Sequence, residues 1–180
     1  ALAQDQMAKL TNGLLKDFPD LQEHVRVGII DGDTPHAQRS EVAQYANVIL
    51  TNPDTLHAAI LPGWNTKGMY KRLLSRLKYV VIDEAHMYDG VFGAHVAMVL
   101  SRLTRLCAVS KATITPPLSS SAIDEADSSV PICFACSATM THPEHHFRAR
   151  CPIASYAHVT VLTAEDDGSP CAPNHFFVWN

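Results

Sequence analysis

The sequence predicts an α/β fold in which a mainly parallel sheet is flanked by helices on both faces. Short apolar runs rich in β-branched residues alternate with longer stretches in which apolar residues recur every three to four positions. The first pattern is typical of buried parallel strands, and the second of amphipathic helices. Because strands that alternate with helices form crossover units, this order favours parallel pairing. The 180 residues are enough for one domain with a hydrophobic core.

The predicted elements begin with a helix, a strand and a second helix. Apolar residues recur at helical spacing over 1–16, and Pro19 ends that helix because its ring cannot continue one. The apolar run 25–30 is predicted as a strand, and the Asp, Gly and Pro residues after it favour a tight turn. A short helix is predicted over 36–44.

The next strand, over 46–50, leads into a helix start. Asn52 suits the N-terminal cap because its side-chain oxygen accepts from an unpaired backbone amide, and Pro53 suits the first helical position. We therefore predict a helix over 53–60. A loop then leads to a basic amphipathic helix over 66–77. We interpret its charges as a solvated face, with a phosphate-contacting face as the alternative.

The second half of the chain holds a third strand, a long helix and a segment of different composition. The strand is predicted over 78–83 and the apolar helix over 91–107. Proline, serine and acidic residues dominate 109–130, which we predict to be a mobile surface insertion. The later predicted elements are a strand over 131–136, a helix over 143–150 and a terminal β-hairpin within 158–180.

Composition narrows the class of protein. Hydrophobic residues form 47% and charged residues 18% of the chain, which excludes a disordered protein. No apolar run reaches the roughly 18 residues of a membrane span, so no membrane partner is expected. Five cysteines at irregular positions are not a secreted disulfide framework and favour an intracellular, reducing location. The net charge of −4 gives no whole-chain attraction to nucleic acid.

Two adjacent acids follow the third predicted strand. Val80, Val81 and Ile82 run directly into Asp83 and Glu84. In open α/β sheets, ligands bind just beyond the carboxyl ends of the strands, so both carboxylates are expected at the functional edge. The first acid suits a Mg²⁺ ion held mostly through water beside nucleotide phosphates, and the second suits polarising an attacking water.

Four short peptides occur at the start of the chain and after predicted strands. They are residues 1–6, Thr51-Asn52-Pro53-Asp54, Asp83-Glu84-Ala85-His86 and Ser137-Ala138-Thr139. In this order they resemble motifs Ia, Ib, II and III of superfamily-two helicases, with motif II in its DEAH form. Each peptide is weakly specific alone, but the ordered set resembles a first RecA-like, P-loop NTPase domain. The resemblance implies that residues 1–180 form part of such a helicase ATP-binding domain.

Longer strings narrow this resemblance. The strings "DGDTP", "ANVILTNPDTLHAAILP" and "LKYVVIDEAHMYDGVFGAHVAMVLSRLTRLC" are similar to the Hrq-type branch of RecQ-like DNA helicases. That branch groups with the human RecQ-four helicase and bacterial MrfA-type repair helicases. It implies an ATP-driven motor that moves 3′ to 5′ on single-stranded DNA and unwinds duplexes during repair. In a eukaryote the expected location is the nucleus.

The resemblance also implies roles for single residues. Asp83 helps to hold Mg²⁺, Glu84 positions the water that attacks ATP, and His86 links the nucleotide site to motif III. Ser137 and Thr139 couple hydrolysis to DNA movement. The residues expected along the DNA strand are Gln4, Asp31, Gly32, Asp33, Thr34, Arg39, Thr51, Asn52, Pro53 and Asp54. Backbone amides, hydroxyls and a helix N-terminus can hold phosphates there without a strongly basic surface.

Parts of a helicase motor are missing from the 180 residues. A P-loop needs the pattern Gly-x-x-x-x-Gly-Lys-Ser/Thr, and no such string occurs. The second RecA-like domain, into which the predicted hairpin of 158–180 would lead, is also absent. We therefore expect the remainder of a longer helicase chain as a partner, and no useful ATP hydrolysis by these residues alone.

Two other functions stay open. A DEAH-class RNA helicase fits the same motif II, since these residues do not show whether a 2′-hydroxyl is contacted. A non-catalytic nucleic-acid-binding or regulatory module fits the missing P-loop. Competition between matched DNA and RNA strands for binding distinguishes a DNA helicase from an RNA helicase. A P-loop upstream in the parent reading frame would remove the support for a non-catalytic module.

A zinc site is a further alternative that the pattern argues against. Cys133 and Cys136 lie near three histidines, and Zn²⁺ favours Cys and His ligands. Residues three apart on a strand point to opposite faces, so these two thiols are not expected to meet. Buried cysteines more often behave as small hydrophobic residues.

Overall fold

Helices alternate with short strands throughout the part of the chain that the structure describes. The structure, a computed structural model, describes residues 2–114, 130–138, 140–151, 159–163, 165–166 and 168. The strands are β1 (Val27–Ile29), β2 (Val48–Leu50), β3 (Tyr79–Ile82) and β4 (Ile132–Ala135). The helices are α1 (Leu2–Lys9), α2 (Leu15–Asp17), α3 (Pro19–Gln22), α4 (His36–Tyr45), α5 (Pro53–Thr55), α6 (Gly68–Arg76), α7 (Gly90–Ile114) and α8 (Pro143–Arg150). The π-helical turns Leu10–Leu14 and Leu56–Ile60 and the 3-10 turns Pro62–Trp64 and Ala85–Met87 complete the set.

The strands pair in two parallel ladders. β1 pairs with β2 from Val27 opposite Val48 to Ile29 opposite Leu50, and α4 lies between them in the chain. β3 pairs with β4 along its whole length, with α7 between them in the chain. Parallel strands need a long crossover connection, which these helices supply. The predicted α/β fold with parallel pairing and helices is therefore confirmed. The described strands form two separate two-stranded ladders instead of the single sheet that the sequence predicts.

Two clusters of buried apolar side chains join the helices to the strands. One contains Leu61, Leu74, Val96, Val99, Leu100, Leu103 and Cys107. The other contains Ile30, Ala43, Ile60 and Tyr70. The amphipathic helix α6 supplies Leu74 to the first cluster and Tyr70 to the second, and both side chains are only 1% exposed. This helix therefore links the β1–β2 unit to α7.

Helix α7 is longer than the sequence predicts. It runs to Ile114 instead of ending at 107. The first residues of the predicted insertion over 109–130 are therefore helical, which corrects its boundary. Residues 115–129 lie outside the described residues, so the mobility of the insertion stays a prediction.

The length of α7 also bears on the expectation about membranes. By length and composition alone, Gly90–Ile114 is apolar enough to cross a membrane, which corrects the statement that no run is long enough. A core helix passes the same test. Val96, Val99, Leu100 and Leu103 of α7 belong to the buried cluster described above, so we interpret α7 as a core helix.

The predicted terminal hairpin is described only in part. Residues 159–163 form no strand in the structure. The second predicted strand, 175–179, lies outside the described residues. The hairpin within 158–180 and its continuation into a second domain stay predictions.

Candidate functional site

The two acids stand at the carboxyl end of β3, beside the end of β4. The amide of Cys136 donates to the carbonyl of Ile82, and the amide of Ala85 donates to the carbonyl of Cys136, each at 2.9 Å. The backbone turns sharply between these bonds because Glu84 has a φ of 50°, in the left-handed region that residues with a Cβ rarely adopt. Such residues concentrate at functional sites, where the surrounding structure holds them in place.

Both carboxylates at this edge are accessible to a ligand. Asp83 and Glu84 are exposed. Asp83 Oδ1 accepts from the amide of Glu84 at 3.0 Å, and Asp83 Oδ2 accepts a long bond of 3.4 Å from Gln6 Nε2. Lone pairs on both carboxylates therefore remain available. Mg²⁺ is commonly held by one or two carboxylates together with water and phosphate oxygens, and this pair of oxygen donors fits it.

His86 contacts both Glu84 and the segment that follows β4. Its Nδ1 is 3.3 Å from Glu84 Oε2 and 3.3 Å from Ser137 Oγ. One ring nitrogen is therefore within reach of a residue from each of two predicted motifs. The structure brings together four of the predicted residues here, Asp83, Glu84, His86 and Ser137. Thr139 lies outside the described residues, and its role stays a prediction.

A second group of predicted residues forms the turn after β1. Asp31 Oδ1 accepts from the Thr34 hydroxyl at 2.6 Å, from the Thr34 amide at 2.9 Å and from the Asp33 amide at 3.1 Å. The hydroxyl bond of Thr34 lowers the pKa of Asp31 most, and the two amide bonds lower it further. The carboxylate of Asp31 therefore shapes this turn in its ionised form.

Arg39 holds the same turn from α4. Its Nε donates to the carbonyl of Thr34 at 2.7 Å, and its Nη2 donates to the carbonyls of Asp31 at 2.7 Å and Gly32 at 3.1 Å. The guanidinium thus faces backbone oxygens of residues 31–34. Its predicted contact with DNA stays a prediction, while the structure shows that it stabilises the turn.

The residues that resemble motif Ib begin a helix at the end of β2. Asn52 Oδ1 accepts from the amide of Thr55 at 2.7 Å, and Pro53 occupies the first helical position, so the predicted cap is confirmed. Thr51 and Asp54 are exposed beside it. Because β1 and β2 are parallel and the amide of Ile30 donates to the carbonyl of Leu50, residues 31–34 and 51–54 leave the same edge of their ladder.

Helix α1 carries the remaining predicted residue of the DNA strand. Gln4 is exposed on this helix. Two positions further along, Gln6 reaches Asp83 as described above. The helix therefore lies beside the carboxylate edge, although Gln6 itself carries no sequence signal as a site residue. Two residues of α8 contact the loop that follows Glu84: Arg150, which also carries no such signal, and His146, which the sequence marks only as one of the three histidines near Cys133 and Cys136.

The cysteines near β4 occupy different environments. Cys136 is exposed, while Cys133 forms a thiol hydrogen bond with Cys151 that, together with burial, raises the pKa of Cys133. Burial raises the pKa of the neighbouring Cys107 to about 12. Among the described residues, no three His, Cys, Asp or Glu side chains form a group that could hold a metal ion. A protonated thiol is a poor metal ligand, because the thiolate is the ligating form.

The ionised state of Asp31 predicts an acid sensitivity. Since its folded pKa lies below the ordinary value of about 3.9, Asp31 contributes stability that is present above that value and is lost as the pH falls from there through the lower folded pKa. We expect Asp31→Asn to flatten the fall in the free energy of unfolding between about pH 5 and about pH 2, measured by chemical denaturation. Asp33→Asn is the matched control. An unchanged pH profile for Asp31→Asn contradicts the prediction.

The cap at Asn52 predicts a loss of stability on truncation. Asn52→Ala removes the oxygen that accepts from the Thr55 amide, and we expect it to lower the free energy of unfolding by about 1 kcal/mol. Asn52→Ser retains an accepting oxygen and is expected to cost less. Chemical denaturation of the three proteins measures the difference. If Asn52→Ala is as stable as the unchanged protein, the prediction is wrong.

Known proteins resemble this chain along its length. A profile described as DEAD/DEAH box helicase matches residues 1–146. The chain is 37% identical over 180 residues to "ATP-dependent helicase HRQ1" of Saccharomyces cerevisiae, covering 100% of this chain and 14% of that protein. It is 46% identical over 107 residues to "Uncharacterized ATP-dependent helicase YprA" of Bacillus subtilis, covering 59% of this chain and 13% of that protein. The chain therefore spans only a small part of these relatives.

A solved structure gives the same picture of the fold. The crystal structure titled "DUF1998 helicase MrfA bound to DNA and AMPPNP" matches with a TM-score of 0.63 and 34% identity. The match covers 84% of this chain and 18% of the MrfA chain. The structure of MrfA bound to DNA alone gives a TM-score of 0.65. These neighbours confirm the predicted RecA-like fold.

Proposed function

Since the chain belongs to the DEAD/DEAH box helicase family, we propose that it forms part of the first RecA-like domain of an ATP-dependent DNA helicase. The contact of His86 with both Glu84 and Ser137 carries this proposal, because it joins the candidate nucleotide site to the strand beside it. The relatives named above are ATP-dependent helicases, and MrfA has been solved with DNA and AMPPNP. The missing P-loop and second RecA-like domain belong, in this proposal, to the rest of a longer chain.

Asp83 and Glu84 at the end of β3 have different roles in the proposed hydrolysis of ATP. Bound Mg²⁺ supplies positive charge that offsets the negative charge on the phosphates. The carboxylate of Asp83 would help to hold this ion, largely through water, and Glu84 would orient the attacking water and accept its proton at a carboxylate oxygen. His86 Nδ1 lies against Glu84 Oε2 and limits the directions in which this carboxylate can turn.

The link to DNA runs through the strands that carry these residues. Ser137 follows β4 and contacts His86, so a shift of the segment after β4 changes the surroundings of Glu84. The other ladder presents the turn 31–34 and residues 51–54 at one edge. The exposed hydroxyl of Thr51 at this edge suits a phosphate oxygen, a contact that positions a strand without reading its sequence.

Several finer features belong to the proposal. We assign the parent protein 3′ to 5′ movement on single-stranded DNA, a role in DNA repair and an intracellular location, nuclear in a eukaryote. These features follow from the resemblance of the sequence strings to the Hrq-type branch, while HRQ1 and MrfA are described only as helicases, and MrfA as bound to DNA. A DEAH-class RNA helicase is the second candidate, because motif II is common to both classes.

Strand separation by the full-length protein tests the proposal. Labelled partial duplexes of matched DNA and RNA, each with a 3′ or a 5′ single-stranded tail, are mixed with protein, ATP and Mg²⁺. We expect separation of the 3′-tailed DNA. Preferred separation of RNA supports the second candidate, and separation of 5′-tailed DNA alone contradicts the proposed direction. Binding of strands without any separation supports a non-catalytic module instead.

A further inference from the structure

Helix α8 contacts the loop that follows Glu84 through two side chains. We call residues 85–89 the post-acid loop. His146 Nε2 lies 3.0 Å from the carbonyl of Ala85, and Arg150 Nε donates to the carbonyl of Tyr88 at 3.0 Å. Arg150 Nη2 also pairs with the carboxylate of Asp89. Both ends of the post-acid loop are therefore bonded to one helix.

The post-acid loop is the backbone that carries His86 and follows Glu84 directly. The amide of Met87 donates to the carbonyl of Glu84 at 2.8 Å, and the amide of Tyr88 donates to the carbonyl of Ala85 at 3.2 Å. These bonds fold the first three residues of the loop into a 3-10 turn, Ala85–Met87. A displacement at Tyr88 therefore alters the backbone of the turn that contains His86 and begins directly after Glu84.

The start of α7 leaves little room for such a displacement. A Cβ added at Gly93 would lie 2.5 Å from the carbonyl oxygen of Tyr88 and 3.3 Å from Arg150 Nε. Real Cβ atoms essentially never approach other atoms to 2.5 Å. The backbone of α7, the post-acid loop and the side chain of Arg150 thus meet at one point.

The ion pair of Arg150 with Asp89 adds little stability, while the bonds to carbonyls set the position of the loop. Arg150 is 23% exposed, but its partner Asp89 is 78% exposed, and ion pairs at such exposed positions contribute little to stability. The bonds to Ala85 and Tyr88 are directed at backbone oxygens within the loop. They fix its place relative to α8, which follows β4 and Ser137 in the chain.

We propose that His146 and Arg150 are positioning residues that hold the post-acid loop and so orient Glu84 and His86 for ATP hydrolysis. The catalytic part of this inference rests on the proposed function. In this inference α8, which follows β4 in the chain, is a further element that contacts the loop after β3. Movement of α8 is then transmitted to the nucleotide site through the carbonyls of Ala85 and Tyr88.

Two readouts on the full-length protein test the inference. The variants are Arg150→Ala, Arg150→Lys and His146→Ala, with His145→Ala, exposed on the same helix, as the matched control. Amide hydrogen exchange over residues 84–90 reports the loop without any need for ATP hydrolysis. Steady-state kinetics report kcat and KM for ATP separately.

We expect faster exchange over 84–90 in Arg150→Ala and His146→Ala, with unchanged exchange over Val27–Ile29. Because small misplacement of a reacting group is costly, kcat is expected to fall by about 10- to 100-fold in Arg150→Ala. KM for ATP is expected to stay within about threefold, since a positioning residue does not contact the nucleotide. Arg150→Lys keeps the charge but lacks the planar fork, so an intermediate kcat is expected.

The failures of the two proposals are distinguishable. Unchanged exchange over 84–90 in both alanine variants overturns the inference, whether or not the protein hydrolyses ATP. Faster exchange with unchanged kcat overturns the positioning role. A rise in exchange over Val27–Ile29 in Arg150→Ala indicates general destabilisation of that variant. The exchange of His146→Ala over 84–90 then tests the inference: faster exchange supports it, and unchanged exchange overturns it. Absence of hydrolysis by the unchanged protein contradicts the proposed function itself.

Discussion

Replacement of Glu84 by Gln in the full-length protein is expected to reduce the rate of ATP hydrolysis by about 10²- to 10⁴-fold. Glutamine keeps the size of the side chain and can still bond to His86 Nδ1, which lies 3.3 Å from Glu84 Oε2. An amide cannot accept the proton of the attacking water as a carboxylate does. Binding of ATP is therefore expected to change little, because the substitution removes only the proton acceptor.

A matched control separates this effect from a general loss of charge. Glu41→Gln makes the same chemical change at an exposed position of α4 and is expected to leave hydrolysis unaffected. Steady-state hydrolysis and binding of a fluorescent ATP analogue are measured on all three proteins. If Glu84→Gln hydrolyses ATP as fast as Glu41→Gln, the assignment of Glu84 is wrong.

Gly93→Ala is expected to lower the free energy of unfolding by about 1–3 kcal/mol. The new Cβ would lie 2.5 Å from the carbonyl oxygen of Tyr88, and this neighbour is backbone, which cannot rotate away as a side chain can. The post-acid loop or the start of α7 must shift to make room. We therefore also expect a lower kcat for ATP in the full-length protein.

Gly13→Ala is the matched control for this prediction. Nothing lies within 4 Å of a Cβ added at Gly13, and the residue belongs to the π-helical turn Leu10–Leu14. Alanine at an unhindered helical position is expected to raise stability by about 0.5–1 kcal/mol. Chemical denaturation of both variants gives the two signs. A Gly93→Ala protein as stable as Gly13→Ala contradicts the close approach to Tyr88.

Elements with a local signal could be predicted from the sequence. The run Val80-Val81-Ile82 before two acids predicts a buried strand with polar residues at its end, and the structure has β3 there. Asn52 and Pro53 predict a helix start because capping depends on neighbours in the chain, and the bond from the Thr55 amide forms. In both cases the signal lies within a few positions of the chain. The burial of the strand was wrong, because Val81 on β3 and Phe134 on β4 are exposed, so no helix among the described residues covers that face of the ladder.

Contacts between distant residues could not be predicted in the same way. Gln6 meets Asp83 and Arg150 meets Tyr88 only because the fold places α1 and α8 against the end of β3. No periodicity or cap marks these side chains. Arg39 shows the reverse case. A basic residue beside a candidate DNA site suggests a phosphate contact, but the structure shows its guanidinium donating to carbonyls of the 31–34 turn.

The end of α7 shows why the boundary of the insertion was misplaced. Ser110 is polar and marks a change in composition, yet it is fully buried on the helix face that carries Leu103 and Cys107. The spacing of these three residues is helical, so the apolar face continues past 107. Composition alone placed the boundary too early, because the prolines, serines and acidic residues further along set the average composition of the whole segment 109–130.

Hydrolysis of ATP by the full-length protein, with and without single-stranded DNA, is the measurement to make first. The 180-residue chain and a Glu84→Gln variant of each protein are assayed beside it. We predict Mg²⁺-dependent hydrolysis that rises with DNA in the full-length protein, and only the background of the Glu84→Gln variant in the 180-residue chain. Full-length hydrolysis that is indifferent to DNA, or Glu84-dependent hydrolysis by the 180 residues alone, would contradict the proposed division of the motor.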